Sequence, residues 1–146
     1  MKIWIAAAAL AALGTGALAD MIVKDATGTV AEAMDRLEAA VTGAGATVFA
    51  RIDHGGGAAS VEMELADAQL LIFDNPMLGT PVMQQDIRAG LVLPLRVLIY
   101  DDNGTTRITY EEVGDLFDDF TVDETAEVFT RIASALDNLT NAAAGQ

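Results

Sequence analysis

The sequence predicts an α+β fold, with a mostly antiparallel sheet and helices packed on one face of that sheet. Two observations predict this fold class. Segments patterned like β-strands are interspersed with three segments of helical period, in the order β-α-β-β-β-α-β-β-α. Neighbouring strand segments are joined by connections short enough for hairpins, which favour antiparallel pairing. The 127 residues from Asp20 onward fit one domain with a single core, and the sequence contains no repeat of short fixed period and no low-complexity segment.

The beginning of the chain, MKIWIAAAALAALGTGALAD, is typical of a secretory signal peptide. Lys2 supplies a short positive region, residues 3–13 form an unbroken apolar run, and Ala17 and Ala19 are small residues before a cleavage site. The run is shorter than the roughly 20 residues of a membrane-spanning helix. We therefore expect a signal peptide over residues 1–19, no membrane span, a periplasmic or secreted location and one domain over residues 20–146. A buried N-terminal helix is the alternative interpretation.

The composition excludes several classes of function. The chain has no cysteine, so a thiolate metal site, a catalytic cysteine and a disulfide are excluded. Removal of the signal peptide would leave seven basic and 22 acidic residues, a formal net charge of −15. Such a surface repels nucleic acids and anionic lipids, because binding to them depends on Lys and Arg neutralising phosphates. We therefore expect no nucleic-acid partner; an acidic surface that only aids solubility is the simpler interpretation.

The first half of the mature chain begins with a predicted strand over residues 21–26. A helix follows, starting at the capping box formed by Thr29 and Glu32. Residues 46–54 and 69–74 are the next clear strand candidates. Between them, SVEMEL (60–65) alternates apolar and polar residues, which predicts a half-buried strand.

The second half contains the strongest strand signals. A second helix is predicted to start with Thr80 as N-cap and Pro81 at its first position. Strands over 93–101 and 105–112 are joined by an Asn-Gly turn, which is typical of a hairpin. The segment VGDLFDDF is interpreted as a linker to a last helix, which begins at a capping box over 121–124. The residues we expect to be buried in the core are Phe73, Leu95, Val97, Ile99, Phe129 and Leu136.

Four blocks of the sequence resemble successive blocks of one known family, in the same order and with similar spacing. The blocks are FARIDHGGGAAS, LLIFDNPMLGTPVMQ, LPLRVLIYDDNG and ITYEE, and the family is called domain of unknown function 302. The resemblance covers roughly residues 22–140. It implies a sheet-and-helix domain related in shape to the TATA-binding-protein-like fold, and a homodimer. It implies no catalytic residue, because no activity is established for the family.

The chain departs from the family pattern at two places. Family members usually read FGNP, often followed by a lysine, whereas this chain has Asp74 and Met77 at these positions. The segment after the TY strand is commonly NDP followed by basic residues in the family, but here it is EEVGDLFDDF. If the family uses those cations to bind an anion, this chain has lost some of them.

The main candidate site is the loop that starts at the only histidine, His54, and continues through Gly55, Gly56 and Gly57. The glycines could let a ligand approach the backbone, although a plain hairpin is the favoured interpretation. A triad of Ser60, His54 and Asp53 is disfavoured, because neighbours on a strand point to opposite faces. We expect His54 to be exposed at the mouth of a cleft.

A second candidate is the start of the second helix, NPMLGTP. Its amides at Gly79 and Thr80 could hold a carboxylate or a phosphate, with Arg51 or Arg88 assisting. A helix cap without a ligand is the simpler interpretation.

A metal or haem site is the third candidate. His54 could act with Glu62 and Glu64, although a catalytic zinc site usually has three protein ligands and one histidine is few for it. His54 could instead act with Met77 and Met83, since His and Met are ligands of copper and haem. No spacing motif supports such a site, and the cofactor is not identified by the sequence.

The leading interpretation is a non-enzymatic exported domain that binds a small molecule or a protein partner. The predicted cleft lies between the His54–Gly57 loop and the start of the second helix. A periplasmic metal- or haem-binding protein that uses His54, with Met77 as a second candidate ligand, is the alternative, and an enzyme is the least supported. The predicted ligand-binding residues are His54, Gly55, Gly56, Gly79, Thr80 and Arg51.

Overall fold

The computed structural model describes residues 20–145, so the predicted signal peptide lies outside the described residues. Five strands and five α-helices follow one another, with one 3-10 helix between α3 and β4. Their bounds are β1 Met21–Asp25, α1 Val30–Gly43, β2 Thr47–Asp53, α2 His54–Ala59, β3 Ala68–Asp74, α3 Pro76–Gln85, the 3-10 helix Ile87–Leu91, β4 Leu95–Asp102, β5 Thr105–Glu111, α4 Val113–Phe117 and α5 Glu127–Ala144. None of these helices has the length and apolar character needed to span a membrane.

The five strands form one sheet in the order β1-β5-β4-β3-β2, and every neighbouring pair is antiparallel. Alternate residues of the central strands are buried, because α1 and α5 cover one face of the sheet. The opposite face is open, and β1 and β2 are its edges. The predicted α+β class and antiparallel sheet are therefore confirmed.

The core lies between the sheet and α1 and α5. All six residues predicted to be buried are at most 6% exposed. Helix α1 starts as predicted: the Glu32 N–H donates to Thr29 Oγ1 at 3.2 Å, and the Thr29 N–H donates to Glu32 Oε2 at 2.8 Å. The rings of Phe117 and Phe129 pack edge to face with centroids 5.4 Å apart, which joins α4 to α5.

The predicted strand over residues 60–65 is not formed. The chain forms helix α2 at His54–Ala59 and then irregular turns, so the glycines lie in a helix and not in a hairpin. Glu62 has a positive φ of 59°, which is incompatible with a strand. The alternating pattern has no neighbouring strand to pair with and no element to cover it. Its apolar side chains are exposed, at 63% for Val61, 67% for Met63 and 57% for Leu65.

The second long helix, α3, begins earlier than predicted. Asn75 is its N-cap, with Oδ1 accepting the Met77 N–H at 3.0 Å, and Pro76 occupies the first turn. Both Asn75-Pro76 and Thr80-Pro81 have the pattern of a helix start, a polar N-cap residue followed by proline. The helix begins at the first of these pairs. Thr80 is therefore inside α3 and not its N-cap.

The segment interpreted as a linker contains a helix, and the last helix begins later than predicted. Glu112 caps α4, because its Oε2 accepts the Gly114 N–H at 2.6 Å. The capping box over residues 121–124 is not formed, since the backbone there bonds elsewhere: the Asp123 N–H donates to Gln85 Oε1 at 2.7 Å. Helix α5 begins only at Glu127.

Candidate functional site

His54 is the first residue of α2 and is exposed, as predicted. Its neighbour Asp53 does not orient it, because Asp53 Oδ1 accepts the Gly56 N–H at 2.8 Å and so caps α2. A Cβ atom on Gly56 would lie 2.5 Å from Asp53 Oδ2, so glycine is required for this cap. Ser60 Oγ donates to the Gly57 carbonyl at 2.6 Å. The side chains considered for a triad thus serve the local fold.

Gly79 and Thr80 lie in the middle of α3, where helix amides bond within the helix. Gly79 is buried, and a Cβ atom there would lie 2.8 Å from Asp74 Oδ2. Burial raises the pKa of Asp74, while the Asn75 N–H that donates to its Oδ1 at 2.8 Å opposes the rise. Gly79 therefore makes room for the Asp74 carboxylate, and these two residues do not present amides to a ligand.

The two halves of the predicted cleft are not brought together. Strands β2 and β3 are antiparallel, so α2 lies near the start of β3, whereas α3 follows its end. The seven residues of β3 separate the two ends by roughly 20 Å, at about 3.3 Å per residue. His54 consequently cannot share a ligand with Thr80, nor a metal ion with Met77. Within residues 20–145, no group of three or more His, Cys, Asp or Glu residues is placed to hold a metal ion.

The arginines expected to assist are already engaged. Arg51 points to the helix-covered face, where Nη1 donates to Asp35 at 2.6 Å and Nε donates to Gln69 at 2.9 Å. Arg88 Nη2 donates to Asp86 at 2.6 Å. What remains near α2 is a shallow, open groove lined by Gly55, Ala59, Met63, Glu64, Leu65 and Ala66.

A different cleft lies in the middle of the sheet, between β4 and β5. These strands pair from Asp102 and Thr105, beside the turn, as far as Leu98 and Thr109, and the pairing stops there. Beyond this point, β4 pairs only with β3 and β5 pairs only with β1. The separation of the two central strands leaves a cavity of about 350 Å³.

The interior of this cleft is apolar. Leu95 and Tyr110 from the two strands, Leu116 from α4 and Leu136 from α5 line it and are each at most 8% exposed. Val92, directly after the 3-10 helix, adds a further wall. The open face of the sheet contributes the remaining lining residues, which are Met21, Leu70, Leu98 and Thr109. Helix α4, which the sequence did not reveal, therefore supplies one wall of the cleft.

Two opposite charges lie at the cleft, on Arg96 and Glu111. Continuing the register of Leu98 and Thr109 by two residues places Arg96 across from Glu111, but the two side chains form no ion pair within 4.0 Å. Arg96 makes no side-chain hydrogen bond within residues 20–145. Most other cations of this part of the chain bond to protein acceptors, namely Lys24, Arg36, Arg51, Arg88 and Arg107.

The cleft itself is not visible in the sequence, because it arises where the pairing of β4 with β5 stops. One signal was visible: Arg96 is the only charge within LPLRVLIY, the most strand-like segment of the chain. A charged residue at the centre of such a strand must face the open side of the sheet.

The fold and the cleft define a small α+β domain with a one-layer antiparallel sheet, helices on one face and an apolar cleft between its central strands. The chain belongs to the family described as domain of unknown function DUF302, whose model matches residues 22–139. This confirms the family resemblance seen in the sequence blocks.

A solved structure shows the same fold. The crystal structure of an uncharacterized conserved DUF302 protein from Bacillus stearothermophilus matches with a TM-score of 0.76 and 19% identity, over 84% of this chain and 97% of that one. Among curated proteins, a fluoride-specific ion channel, FluC 1 of Brucella suis biovar 1 (strain 1330), is 42% identical over 74 residues. FluC 1 of Brucella abortus biovar 1 (strain 9-941) matches equally. This chain covers only 29% and 27% of these two channels.

Proposed function

We propose that this chain is an exported domain that binds a small molecule in the cleft between β4 and β5. The observation that carries the proposal is the cavity itself, about 350 Å³ in volume, with buried apolar walls and two unpaired charges of opposite sign. Small-molecule sites are typically concave and mostly apolar, with volumes of roughly 300–1,000 Å³ and a few polar groups that orient the ligand. The predicted ligand-binding role is thereby moved from the His54 loop to this cleft.

The lining residues favour binding over catalysis. The hydroxyl of Thr109 donates to the Ile22 carbonyl at 2.9 Å and so is engaged within the sheet. No histidine or lysine lines the cleft, and its one carboxylate, that of Glu111, lies on the strand opposite the Arg96 cation. The acidic residue Glu111 and the cation Arg96 are suited to hold a charged head group.

Export is supported by the sequence of residues 1–19. Cleavage after Ala19 would also change one contact at the start of the mature chain. The backbone nitrogen of Asp20 donates to the Asp115 carboxylate. After cleavage at Ala19 this nitrogen would be an α-ammonium group, and a charged donor strengthens a hydrogen bond to a carboxylate.

The test is to purify the protein from the periplasm and measure the mass of the intact protein under native conditions. A bound small molecule should be present in the wild type and lost in Leu98→Trp, whose indole would fill the cleft. Tyr100 lies two residues further along β4, on the same face of the sheet as Leu98. Tyr100→Trp is therefore the matched control and should retain the ligand. Equal retention by both variants would contradict the proposed site.

A second candidate function is metal or haem binding through His54, supported by its exposed imidazole, which makes no hydrogen bond within residues 20–145. Absorption spectra and metal analysis of the periplasmic protein test it. A Soret band or a stoichiometric metal that disappears in His54→Ala would support this candidate; absence of both would retire it.

A protein partner, including a second copy of the chain, is supported by the exposed apolar side chains of Val61, Met63 and Leu65. The measurement is the molar mass in solution for the wild type and for Met63→Ser. A dimeric mass that the substitution lowers would support self-association through this loop, and a monomeric wild type would oppose it.

A further inference from the structure

We infer that the ligand of the β4–β5 cleft is a small molecule with a zwitterionic head group and an apolar body, as in a free hydrophobic amino acid. This inference rests on the proposed function, because it specifies the ligand of that same site. It follows from three features of the cleft: the opposed charges, their lack of protein partners, and the apolar walls beneath them.

The charges select the head group. Arg96 and Glu111 are placed on opposite strands, at the point where β4 and β5 have separated. A ligand carboxylate can accept two parallel hydrogen bonds from the Arg96 guanidinium, and a ligand ammonium can donate to the Glu111 carboxylate. A group that carries both charges on neighbouring atoms spans the two strands and leaves neither side chain unpaired.

Ligands with one charge fit less well. A simple carboxylate would satisfy Arg96 but would lie close to Glu111, and the whole domain is strongly acidic. A simple amine would satisfy Glu111 but would meet the Arg96 guanidinium. The opposed pair therefore discriminates against both by like-charge repulsion.

The walls select the rest of the ligand. Leu95, Leu116 and Leu136 are at most 8% exposed, and no charged side chain other than Arg96 and Glu111 lines the cavity. Its volume of about 350 Å³ is near the lower end of the usual range for small-molecule sites, which favours one small molecule over a longer chain. A branched aliphatic side chain such as that of leucine suits such walls.

The experiment is isothermal titration of the mature protein with three probes that share one apolar body. L-leucine carries both charges, 4-methylpentanoate lacks the ammonium, and 3-methylbutylamine lacks the carboxylate. L-leucine should bind at least about tenfold more tightly than either analogue, a difference of about 1.4 kcal/mol.

Two charge-neutralising variants sharpen the result. Arg96→Gln should weaken L-leucine binding while leaving 3-methylbutylamine binding unchanged or improved. Glu111→Gln should weaken L-leucine binding while improving 4-methylpentanoate binding. Arg131→Gln, which removes an exposed cation of α5 that does not line the cleft, is the matched control and should bind all three as the wild type does.

The outcomes separate this inference from the proposed function. Equal or tighter binding of either analogue, abolished by Leu98→Trp, would overturn the zwitterion and leave the cleft as a binding site. Absence of L-leucine binding would also overturn the zwitterion, and the native mass of the periplasmic protein would then decide on the cleft separately. Binding of L-leucine that is unchanged in Arg96→Gln and Glu111→Gln would overturn the assigned roles of the two charges.

Discussion

The Asp86 carboxylate ties the 3-10 helix to the segment before α5: it accepts the Arg88 Nη2 donor at 2.6 Å and the Thr121 backbone N–H, 35 residues away, at 3.0 Å. Its side chain is 8% exposed. The hydrogen bonds from Arg88 and from the Thr121 backbone hold the pKa of Asp86 well below its usual range. Residues 121–126 are thereby held in place against the helix layer.

This contact predicts a pH dependence of stability. Because the pKa of Asp86 is lowered on folding, its contribution is fully present above the unfolded pKa of about 3.9 and is lost as the pH falls towards the folded pKa. Asp86→Asn should reduce the free energy of unfolding at neutral pH, and the deficit should shrink below about pH 4. Urea unfolding of both proteins across this range measures it. A deficit that is constant with pH would show that the charge of Asp86 is not the cause.

The core predicts a large effect at Leu136, which is 2% exposed and packs between α5 and the sheet. Leu136→Ala should lower the free energy of unfolding by about 2–5 kcal/mol, since it leaves unfilled volume in the core. Leu91→Ala, at a leucine that is 81% exposed, is the control and should stay within about 0.5 kcal/mol. Chemical denaturation of both variants gives the two values, and similar values would contradict the packing described.

The exposed position of His54 predicts a small effect on stability. His54→Ala should change the free energy of unfolding by no more than about 0.5 kcal/mol, as is usual for surface substitutions. Asp53→Ala is the useful comparison, because it removes the cap of α2 and should cost about 0.5–2 kcal/mol. Thermal denaturation decides: a clear loss in His54→Ala with unchanged ligand content would mean that the imidazole serves the fold.

Export predicts a mature N-terminus at Asp20, next to the Asp115 carboxylate. N-terminal sequencing of the periplasmic or secreted protein should begin with DMIVK, and recovery of intact Met1 in that fraction would contradict export by cleavage. Asp115→Asn should destabilise the mature protein, because it weakens the hydrogen bond between the new α-ammonium group and α4. Asp119→Asn, at an exposed residue near the end of α4, is the control and should have little effect.

Local patterns predicted most of the fold because they reflect local physics. The Thr29–Glu32 capping box, the Asn103-Gly104 turn and the apolar residues of α1 each depend on neighbours within a few positions, and all are found in the structure. The predictions failed where a local pattern had no partner in the fold or where two patterns competed. The alternating residues 60–65 have no strand to pair with. Helix α3 begins after Asn75, so the alternative helix start at Thr80 is not used.

The candidate site could not be predicted in the same way. Whether Arg96 meets Glu111 depends on where β4 and β5 stop pairing, which is set by contacts between distant segments. The His54 loop attracted attention because its residue types are unusual. Three glycines and a histidine can also form a short helix when Asp53 caps it, and only the fold shows that they do so.

The most direct test of binding between β4 and β5 is a titration of isotope-labelled mature protein with L-leucine, followed through the backbone amide chemical shifts. We expect the largest shifts at Arg96, Leu98, Tyr110, Glu111 and Leu116, with saturation at one equivalent. The amides of α2 should be unaffected, because α2 contributes no residue to the cleft. Shifts concentrated at His54–Ala59, or no saturable shifts at the cleft, would contradict the claim that the space between β4 and β5 is the binding site.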